Sequence, residues 1–160
     1  MAKEIITINP REFKISQDPN QTLYTDWLDS CVGLALIENK GKKRGLAHVY
    51  YDGLDNFIIT SQDVFLEKFL SNFSNPQAYI TYVRHKFDKN AGYENLMANH
   101  VNRYLTDKGI QIKLVDGQKE FNKREIHHKE IAVHDKSLDI IYRNGTGALL
   151  NHPCSNIKFD

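Results

Sequence analysis

The sequence CVGLALI, residues 31–37, is the most informative segment for the architecture of this chain. The run is apolar at nearly every position and is typical of a buried strand. Residues 38–44 follow with Asn, Gly and Lys, the composition of a turn, and residues 45–51 form a second strand-like run. These three stretches predict a β-hairpin.

The segments around this hairpin alternate between strand and helix patterns. Phe65, Phe69 and Phe73 have helical spacing behind Ser61, which is a predicted N-cap. Residues 23–30 fit no clean period. Further elements are predicted as a helix over 94–108, ended by Gly109, and as strands over 5–8, with 13–15 as its continuation, and over 77–84, 110–115, 130–134 and 138–143. The pattern predicts a mixed α/β fold, rich in hairpins, with an irregular tail from about residue 144.

Composition narrows the class of protein. A length of 160 residues suits one domain, residues 1–160, and 41% hydrophobic residues can form a core without metal or disulfides. The formal net charge of +1 argues against a nucleic-acid-binding surface, and the two cysteines are too few for a secreted disulfide scaffold. Without a signal-like start or a long apolar span, the expected compartment is the cytoplasm, although a specialised secretion system would still be able to export the chain.

Charged and histidine clusters are first interpreted as surface features. Lys40, Lys42, Lys43 and Arg44 lie in the predicted turn, and Lys129 belongs to a scattered later group, so solvated loops are expected for both. His127, His128 and His134 lack a cysteine or carboxylate at zinc-finger spacing. We therefore expect no metal and no cofactor.

Three residues between positions 22 and 53 carry the chemical signal. Thr25 lies six positions before Cys31, and His48 lies seventeen positions after it. Leu28, Ser30 and Val32 surround the cysteine, and Gly45 and Ala47 precede the histidine. This arrangement resembles the active-site region of the CheD family of chemoreceptor glutamine deamidases.

The resemblance implies both a fold and a reaction. The implied fold is a layered sandwich of mixed β-sheets with flanking helices, as in CheD and the catalytic domain of cytotoxic necrotizing factor. The implied reaction is deamidation of a protein glutamine through a thioester, with Cys31 as nucleophile, His48 as base and Thr25 as the group that orients the imidazole. Partners would be a protein with an exposed glutamine and a chemotaxis phosphatase, with no nucleic acid and no membrane insertion.

The sequence also departs from the family pattern near the cysteine. Asp29 replaces the usual glycine and Trp27 replaces a smaller residue, so Asp29 is expected to affect the choice of substrate and Trp27 to form a substrate wall. Backbone N–H groups at Ser30 and Cys31 are the expected oxyanion donors. Two alternatives stay open: an exported effector or toxin with the same chemistry on a host protein, and a binding module that has lost catalysis.

Overall fold

The computed structural model describes residues 3–28, 31–50, 56–83, 93–117, 126–144 and 149–160, and for residues 56–62, 93–96 and 149–154 it describes the backbone alone. These ranges hold ten strands and two α-helices. The elements are β1 (Glu4–Thr7), β2 (Phe13–Ser16), β3 (Gln21–Leu28), β4 (Val32–Glu38), β5 (Lys43–Val49), α1 (Asn56–Leu70), β6 (Gln77–Tyr82), α2 (Tyr93–Asp107), β7 (Gln111–Asp116), β8 (His128–Val133), β9 (Ser137–Arg143) and β10 (Leu149–Lys158).

The strands form two mixed sheets. The first sheet has the order β1-β3-β8-β9-β10, and the second has the order β2-β5-β4-β6-β7. Each contains one parallel pair, β1 with β3 and β6 with β7, and its other pairs are antiparallel. The fold is therefore the layered mixed α/β arrangement that the sequence predicts.

Strand β4 lies between two layers of core. On one face Val32, Leu34 and Leu36 pack with residues of α1 and α2. On the other face Ala35 and Ile37 pack against the first sheet. Burial on both faces explains the continuous apolar run, and the predicted β4–β5 hairpin is present, closed by a short 3-10 turn at Asn39–Gly41.

Several expected boundaries are wrong. Strand β3 occupies residues for which no element was predicted, because its alternation is interrupted by a register shift between Thr25 and Leu28. The tail expected to be irregular contains β10, which pairs with β9 and accommodates Pro153 where their register shifts. Ser61 does not cap α1, since the helix begins at Asn56. Residues 13–15 do not continue β1 but lie in the other sheet.

Two cations expected in solvated loops are buried instead. Arg44 is 1% exposed and donates to the carbonyl oxygens of Gly41, Asp18 and Gln21 at 2.8–3.0 Å. Lys129 is fully buried. Both cations donate hydrogen bonds to acceptors inside the protein, and these bonds compensate the cost of removing the charges from water.

Lys129 connects the two sheets. It projects from β8 of the first sheet, and its Nζ donates to the Tyr82 carbonyl oxygen and to Asp116 Oδ2, both at 2.7 Å, in the second sheet. Thr81 donates to the same carboxylate oxygen at 3.0 Å.

In the ranges that the structure describes, no helix is long and apolar enough to cross a membrane.

Candidate functional site

A histidine and a threonine from opposite sheets meet in the layer between them. Thr25 lies on β3 and His48 on β5, and both side chains are at most 1% exposed. Thr25 Oγ1 and His48 Nδ1 are 2.7 Å apart. The packing of the two sheets therefore brings together two of the three residues that the sequence singled out.

The threonine hydroxyl fixes the tautomer of the imidazole. Thr25 Oγ1 also lies 2.7 Å from the carbonyl oxygen of Ile8, which can only accept. A hydroxyl has one proton to donate, so Thr25 donates it to Ile8 and accepts from Nδ1–H. The lone pair of the neutral ring then resides on Nε2, which is buried and has no hydrogen-bond partner among the described residues.

Burial also fixes the charge of this ring. Desolvation lowers the pKa of His48 from 6.5 to about 4, because the cation loses its hydration without gaining an acidic partner. At neutral pH the imidazole is therefore uncharged, and its acceptor lone pair lies at Nε2. The resting thiolate–imidazolium pair that would activate Cys31 is not favoured at this site.

The segment between β1 and β2 holds the backbone of His48. Its N–H donates to the Glu12 carbonyl oxygen at 3.0 Å, and its carbonyl oxygen accepts from the Arg11 N–H at 2.9 Å. Arg11 has a φ of 68°, which is uncommon for a residue other than glycine. Residues 8–12 thus contact the main chain of His48 through Arg11 and Glu12. They also contact Thr25, which orients the imidazole, through the Ile8 carbonyl oxygen.

Cys31 lies on the same side of the second sheet as His48. Gly33 pairs directly with His48 and Val32 pairs with Val49, so Cys31 occupies the diagonal position two residues from the His48 partner. Diagonal neighbours in a sheet have Cα atoms roughly 7–8 Å apart, which long side chains can bridge. Cys31 is 5% exposed and belongs to the core cluster between the sheets. The structure thus places Cys31 and His48 at diagonal positions on one face of the sheet, with no hydrogen bond to Nε2 from any described residue.

Gly33, the strand partner of His48, allows close packing between the two sheets. A Cβ at this position would lie 2.8 Å from Leu28 Cδ1 and 3.1 Å from Thr81 Cγ2. The absent side chain therefore allows Leu28 of the first sheet to pack against β4 directly opposite His48 in the strand pairing. The glycine is a requirement of the packing between the sheets.

The remaining predicted residues lie elsewhere or outside the described ranges. Trp27 is 61% exposed, has a φ of 53° and stacks on the His128 ring with centroids 4.2 Å apart. Lys129, next to His128, points between the sheets, so the Trp27 stack lies on the outer face of the first sheet. Asp29 and Ser30 fall outside the described residues, and the roles of all three stay predictions.

The sequence did not single out the contributions of Ile8, Arg11 and Glu12 to the site. Their roles depend mainly on backbone groups, which leave no side-chain pattern in the sequence.

His134, one of the three histidines weighed as metal ligands in the sequence, contacts Thr22 Oγ1 at 3.1 Å and Asp139 Oδ2 at 2.9 Å. Within the described ranges, no group of three metal-binding side chains comes together.

The comparisons with known proteins give a likeness in fold. No family model and no curated protein matches the chain. The chain is similar to a solved Neisseria meningitidis protein of the DUF152 family, with a TM-score of 0.50 and 10% identity over 72% of this chain and 64% of that one. It is also similar to the Bacillus licheniformis hypothetical protein YfiH, with a TM-score of 0.44 and 15% identity over 72% and 60% of the two chains. The chain thus spans less than two-thirds of either solved protein.

These findings correct the predicted family and function. The assignment to the CheD family is wrong, because the structural likeness is to a DUF152 protein and no family model supports CheD. Protein-glutamine deamidation and the chemotaxis role depended on that assignment, and they are wrong with it. The resemblance depended on the spacing of Thr25, Cys31 and His48 and on a few neighbouring residues, and these positions are too few to define a family. The comparisons show that this chain and the DUF152 protein share an α/β fold.

Proposed function

We propose that the chain is an enzyme in which Cys31 is the nucleophile of a group-transfer or hydrolytic reaction. His48 is its general base, and Thr25 positions the base.

The observation that carries the proposal is the state of His48. A buried histidine normally satisfies both ring nitrogens, but here Nδ1 is bonded to Thr25 and Nε2 has no partner in the described part of the chain. Leaving a buried acceptor unsatisfied costs about 1–3 kcal/mol. A protein that maintains this cost next to a cysteine has a base available for the thiol proton.

The reaction follows from these roles. Nε2 accepts the Cys31 proton as the sulfur forms a bond to an electrophilic carbon of the substrate. The leaving group departs with its electron pair and takes the proton from the imidazolium. Water or another acceptor, deprotonated by the same nitrogen, then displaces the sulfur and regenerates the thiol. Because the free ring has a lowered pKa, the imidazolium formed in the reaction returns its proton readily.

The test measures the reactivity of Cys31 in a Cys154→Ser background. Iodoacetamide modification is followed by mass spectrometry of the peptide that contains Cys31 at pH 7. We expect His48→Gln to slow the modification by at least about tenfold, since general-base assistance is commonly worth more than that. A panel of activated small acyl substrates then tests whether a covalent Cys31 adduct forms and turns over.

The matched control is His100→Gln. His100 lies on α2 and pairs with Asp63 at 2.5 Å, in the helical layer. This variant should react at the wild-type rate. Equal rates for wild type and His48→Gln, or turnover that survives Cys31→Ala, would reject the proposal and favour a binding module.

A further inference from the structure

A hydroxyl, an imidazole, a carboxylate and an amide form a hydrogen-bonded chain along four neighbouring strands of the first sheet. Thr22 Oγ1 on β3 lies 3.1 Å from Nδ1 of His134, the residue after β8. His134 Nε2 lies 2.9 Å from Asp139 Oδ2 on β9, and Asn156 Nδ2 on β10 donates to Asp139 Oδ1 at 2.6 Å. The strand order β3-β8-β9-β10 brings the four side chains together.

These side chains lie on the outer face of the first sheet. Their chain neighbours Leu23 and Val133 pack in the core between the sheets, and successive residues of a strand point to opposite faces. Helices α1 and α2 pack on the second sheet, so in the described ranges neither covers this face. Thr22 is 5% exposed, while the side chains of His134 and Asp139 are each 27% exposed. A molecule from solution therefore contacts the imidazole and the carboxylate without entering the layer between the sheets.

The carboxylate determines the direction of the hydrogen bonds. A carboxylate can only accept, so the proton of the uncharged His134 ring lies on Nε2 and is donated to Asp139. The lone pair of the ring is then at Nδ1, where it accepts the hydroxyl proton of Thr22. The Asn156 amide holds the second carboxylate oxygen and so limits the rotation of Asp139. This is the proton arrangement of a hydroxyl nucleophile, its base and an acid that orients the base.

We infer that this outer face carries a second catalytic site, for carboxylic esters, in which Thr22 is the nucleophile, His134 the base and Asp139 a positioning residue. Thr22 Oγ1 forms a bond to the acyl carbon as its proton passes to His134 Nδ1. The alcohol part of the ester leaves with its electron pair and takes that proton. Water, deprotonated by the same nitrogen, then hydrolyses the acyl-threonine and restores the hydroxyl. The site is independent of Cys31, so it does not rest on the proposed function.

A small alkyl fluorophosphonate tests the nucleophile. An activated hydroxyl oxygen forms a bond to its phosphorus, and fluoride leaves with the electron pair. Mass spectrometry of the peptide that contains Thr22 should show this adduct in the wild-type protein at pH 7. We expect His134→Gln to slow its formation by at least about tenfold, since general-base assistance is commonly worth more than that. Cys31→Ala should leave the rate at Thr22 unchanged, because the thiol takes no part.

Two variants of Asp139 separate the orientation of the base from structural support. Asp139→Asn presents an amide that donates to Nε2, which moves the ring proton to Nδ1 and blocks the base, so labelling should slow as in His134→Gln. Asp139→Glu keeps a carboxylate acceptor and should retain more of the rate. The matched control is Asp63→Asn, which alters the His100–Asp63 pair of the helical layer and should leave the labelling of Thr22 unchanged.

Urea denaturation of each variant establishes that it is folded under the labelling conditions. Absence of an adduct at Thr22 in the folded wild-type protein, even with excess probe, would overturn the second site. An adduct that forms as fast in folded Asp139→Asn as in the wild type would overturn it as well, because the hydrogen bonds of His134 would then only support the structure.

Discussion

The single hydroxyl proton of Thr25 determines the chemistry of His48. Because the Ile8 carbonyl oxygen can only accept, the direction of both hydrogen bonds follows from one distance on each side of the threonine. The orienting group is neutral, so it fixes the tautomer without stabilising the imidazolium as a carboxylate would. The ring is thereby kept as an uncharged base.

Replacing Thr25 should disturb both neighbours. Thr25→Val keeps the shape but leaves the His48 Nδ1–H and the Ile8 carbonyl oxygen without their partner, and we expect a loss of about 2–4 kcal/mol in unfolding free energy. Thr25→Ser retains the hydroxyl and should lose only about 1 kcal/mol for the missing methyl group. Urea denaturation at pH 7 measures both values. Equal losses in the two variants would contradict the hydrogen-bond argument.

The lowered pKa of His48 predicts how stability changes with pH. Above pH 6.5 the folded and unfolded chains both carry a neutral ring, so the residue contributes nothing to the pH dependence. Between pH 6.5 and about 4 the unfolded chain binds a proton that the folded chain does not, so stability falls as pH falls. By pH 4.5 the loss should reach about 2–3 kcal/mol.

Subtracting the stability curve of a His48→Gln variant from that of the wild type isolates the contribution of His48 from those of the other titratable groups. The unfolding free energies of wild type and His48→Gln are measured at intervals between pH 7.5 and 4.5. The difference between the two curves should change steadily below pH 6.5 in favour of the glutamine variant. A difference that is constant across this range would show that the ring titrates normally in the folded protein.

Among the helices and strands, those with a regular hydrophobic pattern could be predicted from the local sequence. The β4–β5 hairpin follows from a continuous apolar run with a polar turn, and α2 follows from periodic residues ended by Gly109, whose φ is 74°. Strand β3 could not be predicted this way. Its register shift and the positive φ of Trp27 break the alternation that a strand pattern needs.

The β10 strand shows a second limit of local pattern. Its pairing with β9 satisfies the backbone of a segment that contains proline and has no clean alternation. The stabilising partner lies earlier in the chain, so the strand depends on a non-local contact. The Thr25–His48 contact is of the same kind, since it depends on how two sheets pack. Its anticipation came from a resemblance that proved wrong.

Strand β4 offers a prediction that separates packing from reactivity. Gly33→Ala would place a methyl group between Leu28 and Thr81, and overpacking of this kind costs about 1–3 kcal/mol. Because Gly33 pairs with His48, we also expect slower Cys31 modification by iodoacetamide. Denaturation midpoints and labelling rates measure the two effects.

Gly45→Ala is the comparison for this prediction. Its Cβ would lie 2.6 Å from Phe69 and 2.8 Å from Phe73, on the helical side of the sheet. It should lower stability without slowing the labelling of Cys31. If both glycine variants slow labelling equally, the effect comes from general loosening and the local role of Gly33 is wrong.

At the scale of the whole molecule, a buried charge joins the two sheets. The ammonium of Lys129 contacts Asp116 and the Tyr82 carbonyl oxygen across the interface. The sequence pattern could not predict the burial of Lys129, because an isolated lysine beside a predicted strand is usually solvated. Only the packed sheets supply the acceptors that make its burial affordable.

Removing this cation should be among the most damaging single changes. Lys129→Met leaves the partly buried Asp116 carboxylate without its counter-ion, and breaking such a pair costs about 3–5 kcal/mol. The double variant Lys129→Met/Asp116→Asn removes the unpaired charge and should recover a large part of the loss. Urea denaturation of both variants measures this, and a double variant no more stable than the single one would contradict the explanation.

The connection between β1 and β2 passes from one sheet to the other, and it holds His48 from both sides. Its Ile8 N–H donates to the Tyr24 carbonyl oxygen in the first sheet, while Glu12 accepts from His48 in the second. The imidazole is therefore locked only after the two sheets have docked. Any change that separates the two sheets would therefore also release the ring from the tautomer that Thr25 imposes.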